Sequence, residues 1–256
     1  MTAALAITGR SAAALAKPKR LIGFGILELL PTVLFLVAAA QAPADDETSI
    51  AIIFATSFYF PLIAPIVTMI VAAGALGAER RDNTLSFIVL RPVSRIQIAA
   101  AKVAAAVLAA TVINAIGAIS LGTAYALVNG RTNLIVPLLV GGFIVSACYT
   151  AIFVPFGFIT NRAVVIGLIF LFVIENGVVV ALSGMAWLSP WRIGYSAFVG
   201  LLAKPIVDLG AEADEVVDAA LGSLAGGAGG ALAKTAVLLI VGTLLSAWLL
   251  RKRDLA

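Results

Sequence analysis

Residues 98–128 read IAAAKVAAAVLAATVINAIGAISLGTAYALV, and the fold follows from how this run is understood. It holds one charge, Lys102, close to its start. An α-helix rises about 1.5 Å per residue, so about 20 apolar residues cross a hydrocarbon core of about 30 Å. The run exceeds that length. The surplus implies a tilted helix or a first turn that protrudes into water near Lys102.

Five further apolar runs of spanning length occupy approximately 21–40, 56–78, 134–159, 163–183 and 232–250. Over the whole chain 62% of residues are hydrophobic and 12% charged, against about 45–50% apolar and about 25% charged in soluble domains. A soluble protein is excluded. With 256 residues, most of the apolar ones committed to spans, no separate water-soluble core remains, so residues 1–256 form a single transmembrane domain. The expected fold class is all-α: a polytopic integral membrane protein with six transmembrane helices.

Cys148 is the sole cysteine and histidine is absent. Disulfide frameworks, zinc sites and His-based acid–base chemistry are therefore out, and an intramembrane enzyme would also need paired aspartates that the spans lack. No G-x-x-x-x-G-K-[ST] phosphate loop occurs. The chain carries no catalytic, cofactor-binding or metal-binding residues of its own, and if it uses ATP another polypeptide must bind it.

The formal charge of +4 has to be divided between the two sides of the membrane. With the N-terminus inside, only Arg131, Arg192, Lys204 and Lys234 of the 17 Lys and Arg fall outside. That asymmetry is what the positive-inside rule requires, so both termini are expected in the cytoplasm and the localisation is a cell membrane. A cleavable signal peptide is imitated by Lys17–Arg20, the following apolar stretch and Ala40-Gln41-Ala42. The apolar part is too long for one and carries Glu28 and Pro31, so a retained first span is expected. Residues 1–20 mix Leu5, Ile7 and Leu15 with Arg10, Lys17, Lys19 and Arg20, which fits either a short basic helix lying in the inner interface or a disordered leader.

Between the second and third spans the chain reads Gly77-Ala78-Glu79-Arg80-Arg81-Asp82-Asn83-Thr84-Leu85-Ser86-Phe87-Ile88-Val89-Leu90-Arg91-Pro92-Val93-Ser94-Arg95. Asn83 can adopt a left-handed conformation that ends a helix, and Thr84 can cap the next one. Leu85–Leu90 then forms a short helix with an apolar face. Pro92 stops it, and Ser94 is placed to cap the third span. The loop, residues 79–96, is either an ordinary connector against lipid headgroups or a docking element for a cytoplasmic partner.

These residues resemble the ABC-2-type transporter permeases. That family shows a Glu-rich start after its second span, then Gly-Thr-Leu, about six residues, Pro-Val-Ser-Arg and a lysine seven residues on; Glu79, Thr84, Leu85, Pro92, Val93, Ser94, Arg95 and Lys102 fall in this register. Asn83, Arg81 and Ala101 depart from the pattern, and Asn83 is the best replacement for a positive-φ glycine. Six spans and the ending Trp-Leu-Leu-Arg-Lys-Arg-Asp-Leu at Trp248–Leu255 are also similar to the family.

The resemblance implies a permease subunit of an ATP-binding cassette transporter. It would pair with a second copy, as a homodimer, and bind two ATPase subunits that hold the ATP and Mg. A coupling helix in the 79–95 loop would sit in a groove of each ATPase. In that arrangement Arg80, Arg81, Arg91 and Arg95 would contact acidic residues of the ATPase, Phe87, Ile88 and Leu90 would fill the groove, and Glu79 and Thr84 belong to the same coupling element. Transport would run outward, and an apolar, alanine-rich lining would suit a hydrophobic substrate. The partners are thus the ATPase, the second permease and the bilayer, with no nucleic acid.

The family also implies an extracytoplasmic segment of short helices over residues 184–230, capping the pathway. Pro190 and Pro205 would divide it, and Trp187 and Trp191 suit the outer interface. Gly222, Gly226 and Gly230 recur at small-xxx-small spacing, read either as a packing face or as a flexible linker. Glu28 and Glu175 are the carboxylates inside apolar spans, lining the pathway or holding helices together. Asn176 or Asn114 are candidate partners of Glu175, and Lys19 or Arg20 of Glu28. Pro61, Pro65, Pro137 and Pro155 mark kinks. Two other functions compete: an ion-gradient-driven secondary transporter, which would need paired intramembrane carboxylates and repeats, and a non-transport membrane anchor.

Overall fold

In the computed structural model, residues 2–43, 46–81, 93–178, 189–202 and 227–253 are described; they are helical or connecting, with no strand among them. Helices α1 (Thr2–Leu15), α2 (Pro18–Glu28) and α3 (Leu30–Ala39) come first. Next are α4 (Glu47–Phe54), a π-helical stretch Ala55–Ile63 and α5 (Ala64–Arg81). The long helices α6 (Arg95–Asn129) and α7 (Ile135–Ile159) follow. After them come α8 (Ala163–Ile169), a second π-helical stretch Phe170–Val178, α9 (Pro190–Leu202) and α10 (Gly227–Arg253).

Five of these helical stretches are long and apolar enough to cross a membrane: Pro18–Ala39, Glu47–Arg80, Arg95–Asn129, Ile135–Ile159 and Gly227–Lys252. The chain is therefore an all-helical, multi-pass membrane protein. Six spans were expected. The fifth of them, 163–183, is present as an apolar helix over Ala163–Glu175, shorter than a membrane crossing, and 179–183 lie outside the described residues.

The second span begins at Glu47, earlier than residue 56, because Thr48–Phe54 is apolar enough to wind before the proline-bearing part. Pro61 lacks the N–H that a regular helix would use, and the backbone around it widens: the Ala64 N–H reaches Tyr59 O, five residues back. Pro31 acts similarly in the first span, where α2 ends at Glu28 and α3 restarts at Leu30. Pro137 sits harmlessly in the first turn of α7, but Pro155 lies inside it. It leaves the Ala151 carbonyl without its usual donor. That carbonyl faces Gly242 of α10, which has no Cβ to keep the two backbones apart.

Helix α7 is the hub, packed against α5, α6, α9 and α10. Of its apolar stretch 67% is buried within the protein, against 28% for the first span and 22% for α10. These outer helices turn Ile22, Ile26, Val33 and Val37, and Val237, Ile240, Val241 and Leu244, outward to the lipid. Close crossings use glycine. A Cβ at Gly157 would lie 2.7 Å from Ala73 Cα of α5, one at Gly242 2.9 Å from Ala151 Cα, and one at Gly141 3.0 Å from Gly194 O of α9. These are contacts of the small-residue kind that replaces the hydrophobic effect within lipid. Of the glycines expected to pack, Gly222 and Gly226 lie outside the described residues.

The expected outer segment is only partly described. Helix α9 starts at Pro190, as a proline-initiated helix should, but buries Ile193, Tyr195, Phe198, Val199 and Leu202 against α7, α10 and the first π-helical stretch. Ser189, just ahead of α9, donates to the Glu175 carboxylate. Residues 184–188 and 203–226, Trp187 and Pro205 included, lie outside the described residues. The basic N-terminal helix forms as α1, but it packs on α5 and α6 rather than lying only on lipid.

Gly157→Ala and Gly242→Ala should each lower the melting temperature of the detergent-solubilised protein, by an overpacking cost of about 1–3 kcal/mol. Gly23→Ala, with nothing within 4 Å of the added methyl, should leave it unchanged or slightly raised. Equal melting temperatures for all three would refute the close-crossing account.

Candidate functional site

The end of α5 and the start of α6 flank residues 82–92, part of the 79–95 loop for which the resemblance implies a coupling helix. Helix α6 opens on a capping box: Ser94 Oγ accepts from the Gln97 N–H at 3.3 Å, and Gln97 Oε1 accepts from the Ser94 N–H at 3.3 Å. Ser94 thus caps the third span as its position suggested. Two turns on, Lys102 points back across the crevice to Glu79 of α5, forming an ion pair and hydrogen bond. Its ammonium also donates to Ser11 Oγ of α1 at 2.9 Å. Lys102 is only 4% exposed, so the pair sits where little water screens it.

Arg80, the next residue, turns to the opposite side. Its Nη1 donates to Phe158 O at 2.8 Å and to Ile159 O at 2.7 Å. These are carbonyls of the last turn of α7, which have no donor within the helix and carry the negative end of its dipole. Consecutive residues of α5 therefore clamp it to α6 and α1 on one side and to α7 on the other. Arg95 opens α6 and is half-buried. Arg81 ends α5, but its side chain lies outside the described residues, as do Thr84, Phe87, Ile88, Leu90 and Arg91.

The intramembrane carboxylates are placed differently from the sequence expectation. Glu175, 1% exposed, accepts hydrogen bonds from the Tyr149 hydroxyl of α7 and from Ser189 Oγ at 3.2 Å. Asn114 is not its partner. The Asn114 amide instead donates to Ser146 Oγ of α7 at 2.8 Å and Thr68 Oγ1 of α5 at 3.0 Å, joining three helices. The side chain of Asn176 lies outside the described residues. Glu28 does not reach back to Lys19 or Arg20 either: α2 aims it into the bundle against Gly117 of α6 and the Tyr59 ring. Neither of its oxygens has a hydrogen-bond partner among the described residues.

Sequence reasoning placed Glu79 and Lys102 in one motif without pairing them, and it missed Ser11, Tyr149, Ser189, Thr68 and Ser146. The helical period offers a signal for the first pair alone. Seven residues, close to two full turns, put Lys102 on the same face of α6 as Arg95, at the end of the helix nearest the loop that Glu79 opens. The other partners come from helices far apart in sequence. Among the described residues no group of three or more His, Cys, Asp or Glu could hold a metal ion.

Residues 15–177 match the family model described as ABC-2 family transporter protein. No curated protein matches the chain.

Lys102→Met or Glu79→Gln alone leaves a buried charge unpaired and should cost about 3–5 kcal/mol of stability. The double variant should recover much of that loss, as thermal unfolding in detergent would show. Additive single losses would mean that the pair does not form.

Proposed function

The chain belongs to the ABC-2 transporter family, and from that membership we propose that it is the permease subunit of an ATP-binding cassette exporter, powered by a separate ATPase. The family is a membrane transport component, so the chemistry of ATP and Mg falls to the partner. In this reading two permease copies form a homodimeric pathway in the cell membrane and two ATPases dock on their cytoplasmic faces. Both chain termini lie on that face, as the distribution of Lys and Arg favours. The cargo is a hydrophobic molecule, carried outward.

The observation that supports coupling at the 79–95 loop is the double clamp at its root. A push on a short connector moves a bundle only if the connector is stiffly joined to more than one helix. Glu79 and Arg80 supply that stiffness, one toward α6 and α1, the other toward the end of α7. Further along the chain, Phe87, Ile88 and Leu90 are the apolar residues, and Arg81, Arg91 and Arg95 the basic ones, that this reading assigns to the ATPase groove. Neither Glu28 nor Glu175 has a second carboxylate hydrogen-bonded to it among the described residues, so an ion-gradient mechanism has no paired site to rest on.

Phe87→Glu and Arg91→Glu should abolish co-purification of the ATPase while leaving expression and melting temperature of the permease unchanged. Arg80→Ala should keep the ATPase bound but lower transport-linked ATP hydrolysis. If the ATPase co-purifies undiminished with Phe87→Glu, the loop is not the docking element.

A further inference from the structure

A cleft of about 540 Å³ opens between α1, the start of α2, the end of α5 and the start of α6. Its floor is small, made by Gly74, Ala75 and Ala78, and its walls are basic, carrying Arg10, Lys17, Arg20 and Lys102. Among the described residues Glu79 is the one carboxylate in the lining, and it is already bound to Lys102. Arg10, Lys17 and Arg20 form no ion pair among the described residues, so three positive charges converge on a space that no described carboxylate neutralises. The Arg20 guanidinium reaches over the Gly74 position, 3.9 Å from where a Cβ would stand.

The place of the cleft in the chain selects its ligand. Lys17 and Pro18 form the joint at which α1 gives way to the first apolar span, so the basic walls stand where a membrane-spanning helix emerges into the headgroup layer. Three clustered Lys and Arg side chains at that depth recognise the phosphate of an anionic lipid, the guanidinium forks of Arg10 and Arg20 matching phosphate oxygens in pairs. The volume exceeds that of a bare phosphate and admits a small headgroup attached to it.

We propose that this cleft binds a phosphate group, presented by the headgroup of an anionic phospholipid of the same leaflet. The bound lipid stitches α1 to α2 and α5 beside the Lys102–Glu79 pair. The proposal does not depend on the transport reading: it concerns only the charge and position of the cleft, and it survives or fails independently of an ATPase partner.

The test uses the full chain, purified in a neutral detergent and titrated with phosphatidylglycerol or phosphatidylcholine, with retained lipid read by native mass spectrometry. Phosphatidylglycerol should be retained over phosphatidylcholine. The triple variant Arg10→Ala/Lys17→Ala/Arg20→Ala should bind it about a hundredfold more weakly, as expected for three surface cations acting together. Arg131→Ala, which removes a charge from the connection between α6 and α7, should bind as the parent does. If the triple variant does not fold, the single variants Arg10→Gln, Lys17→Gln and Arg20→Gln should each lose about fivefold. Displacement of phosphatidylglycerol by millimolar inorganic phosphate would support the same site with a soluble phosphate as its source. Equal retention of phosphatidylglycerol by the parent and the basic-residue variants would overturn the proposal, as would an equal loss in Arg131→Ala.

Discussion

Asn114 is the point on which the bundle turns. An amide in hydrocarbon cannot borrow hydrogen bonds from water, so its donors must find protein acceptors. It finds them on two other helices, at Ser146 of α7 and Thr68 of α5, and its own backbone carbonyl accepts from the Tyr59 hydroxyl at 2.9 Å. Ser146 and Thr68 pass their own hydroxyl hydrogens to carbonyls one turn back, at Gly142 and Ala64. The cluster fixes how α5, α6 and α7 are rotated about their axes. Once those rotations are set, Gly157 meets Ala73, and Gly141 and Gly194 can cross.

From that centre the architecture grades outward in polarity demand. Helix α7, enclosed on several sides, is interrupted by small residues and by Pro155, whose missing N–H is absorbed by a glycine contact from α10. The peripheral helices need only be apolar. Their lipid-facing positions hold Ile, Val and Leu without any packing constraint. At the opposite end from the clamp, Asn129 donates to Glu47 at 3.1 Å and Tyr125 meets Thr48 at 3.0 Å, so each end of α6 is tied to the second span by polar side chains. Polar side chains thus hold α6 at both ends and in its middle.

The roots of the 79–95 loop show how a local motif gains meaning from its surroundings. Glu79, Ser94 and Lys102 were legible as elements of one pattern, and the Ser94 cap could be derived from local backbone chemistry alone. That Lys102 would be buried, and that Arg80 would face the carbonyls of α7 instead of the solvent, required knowing which helix lies beside α5. The glutamates teach the same lesson in reverse. Glu28 is close in sequence to Lys19 and Arg20, yet the direction of α2 carries it away from them into the bundle.

Composition and run length alone dictate a helical, multi-pass membrane protein, because lipid offers the backbone no partners and only a helix satisfies its own groups within one segment. Charge asymmetry, the absence of histidine and the local motif after the second span are likewise properties of the chain read in order. Which polar residues become neighbours is not, since Ser11 and Lys102, Tyr149 and Glu175, or Asn114 and Ser146 meet only through the rotation and crossing of separate helices. The backbone-level contacts at Gly157, Gly141 and Gly242 follow from those rotations, and such contacts exist only between helices already assembled. The basic cleft beside α1 is the clearest case: its charges are visible in the sequence as a basic N-terminal stretch, and only the fold gathers them around a shared space.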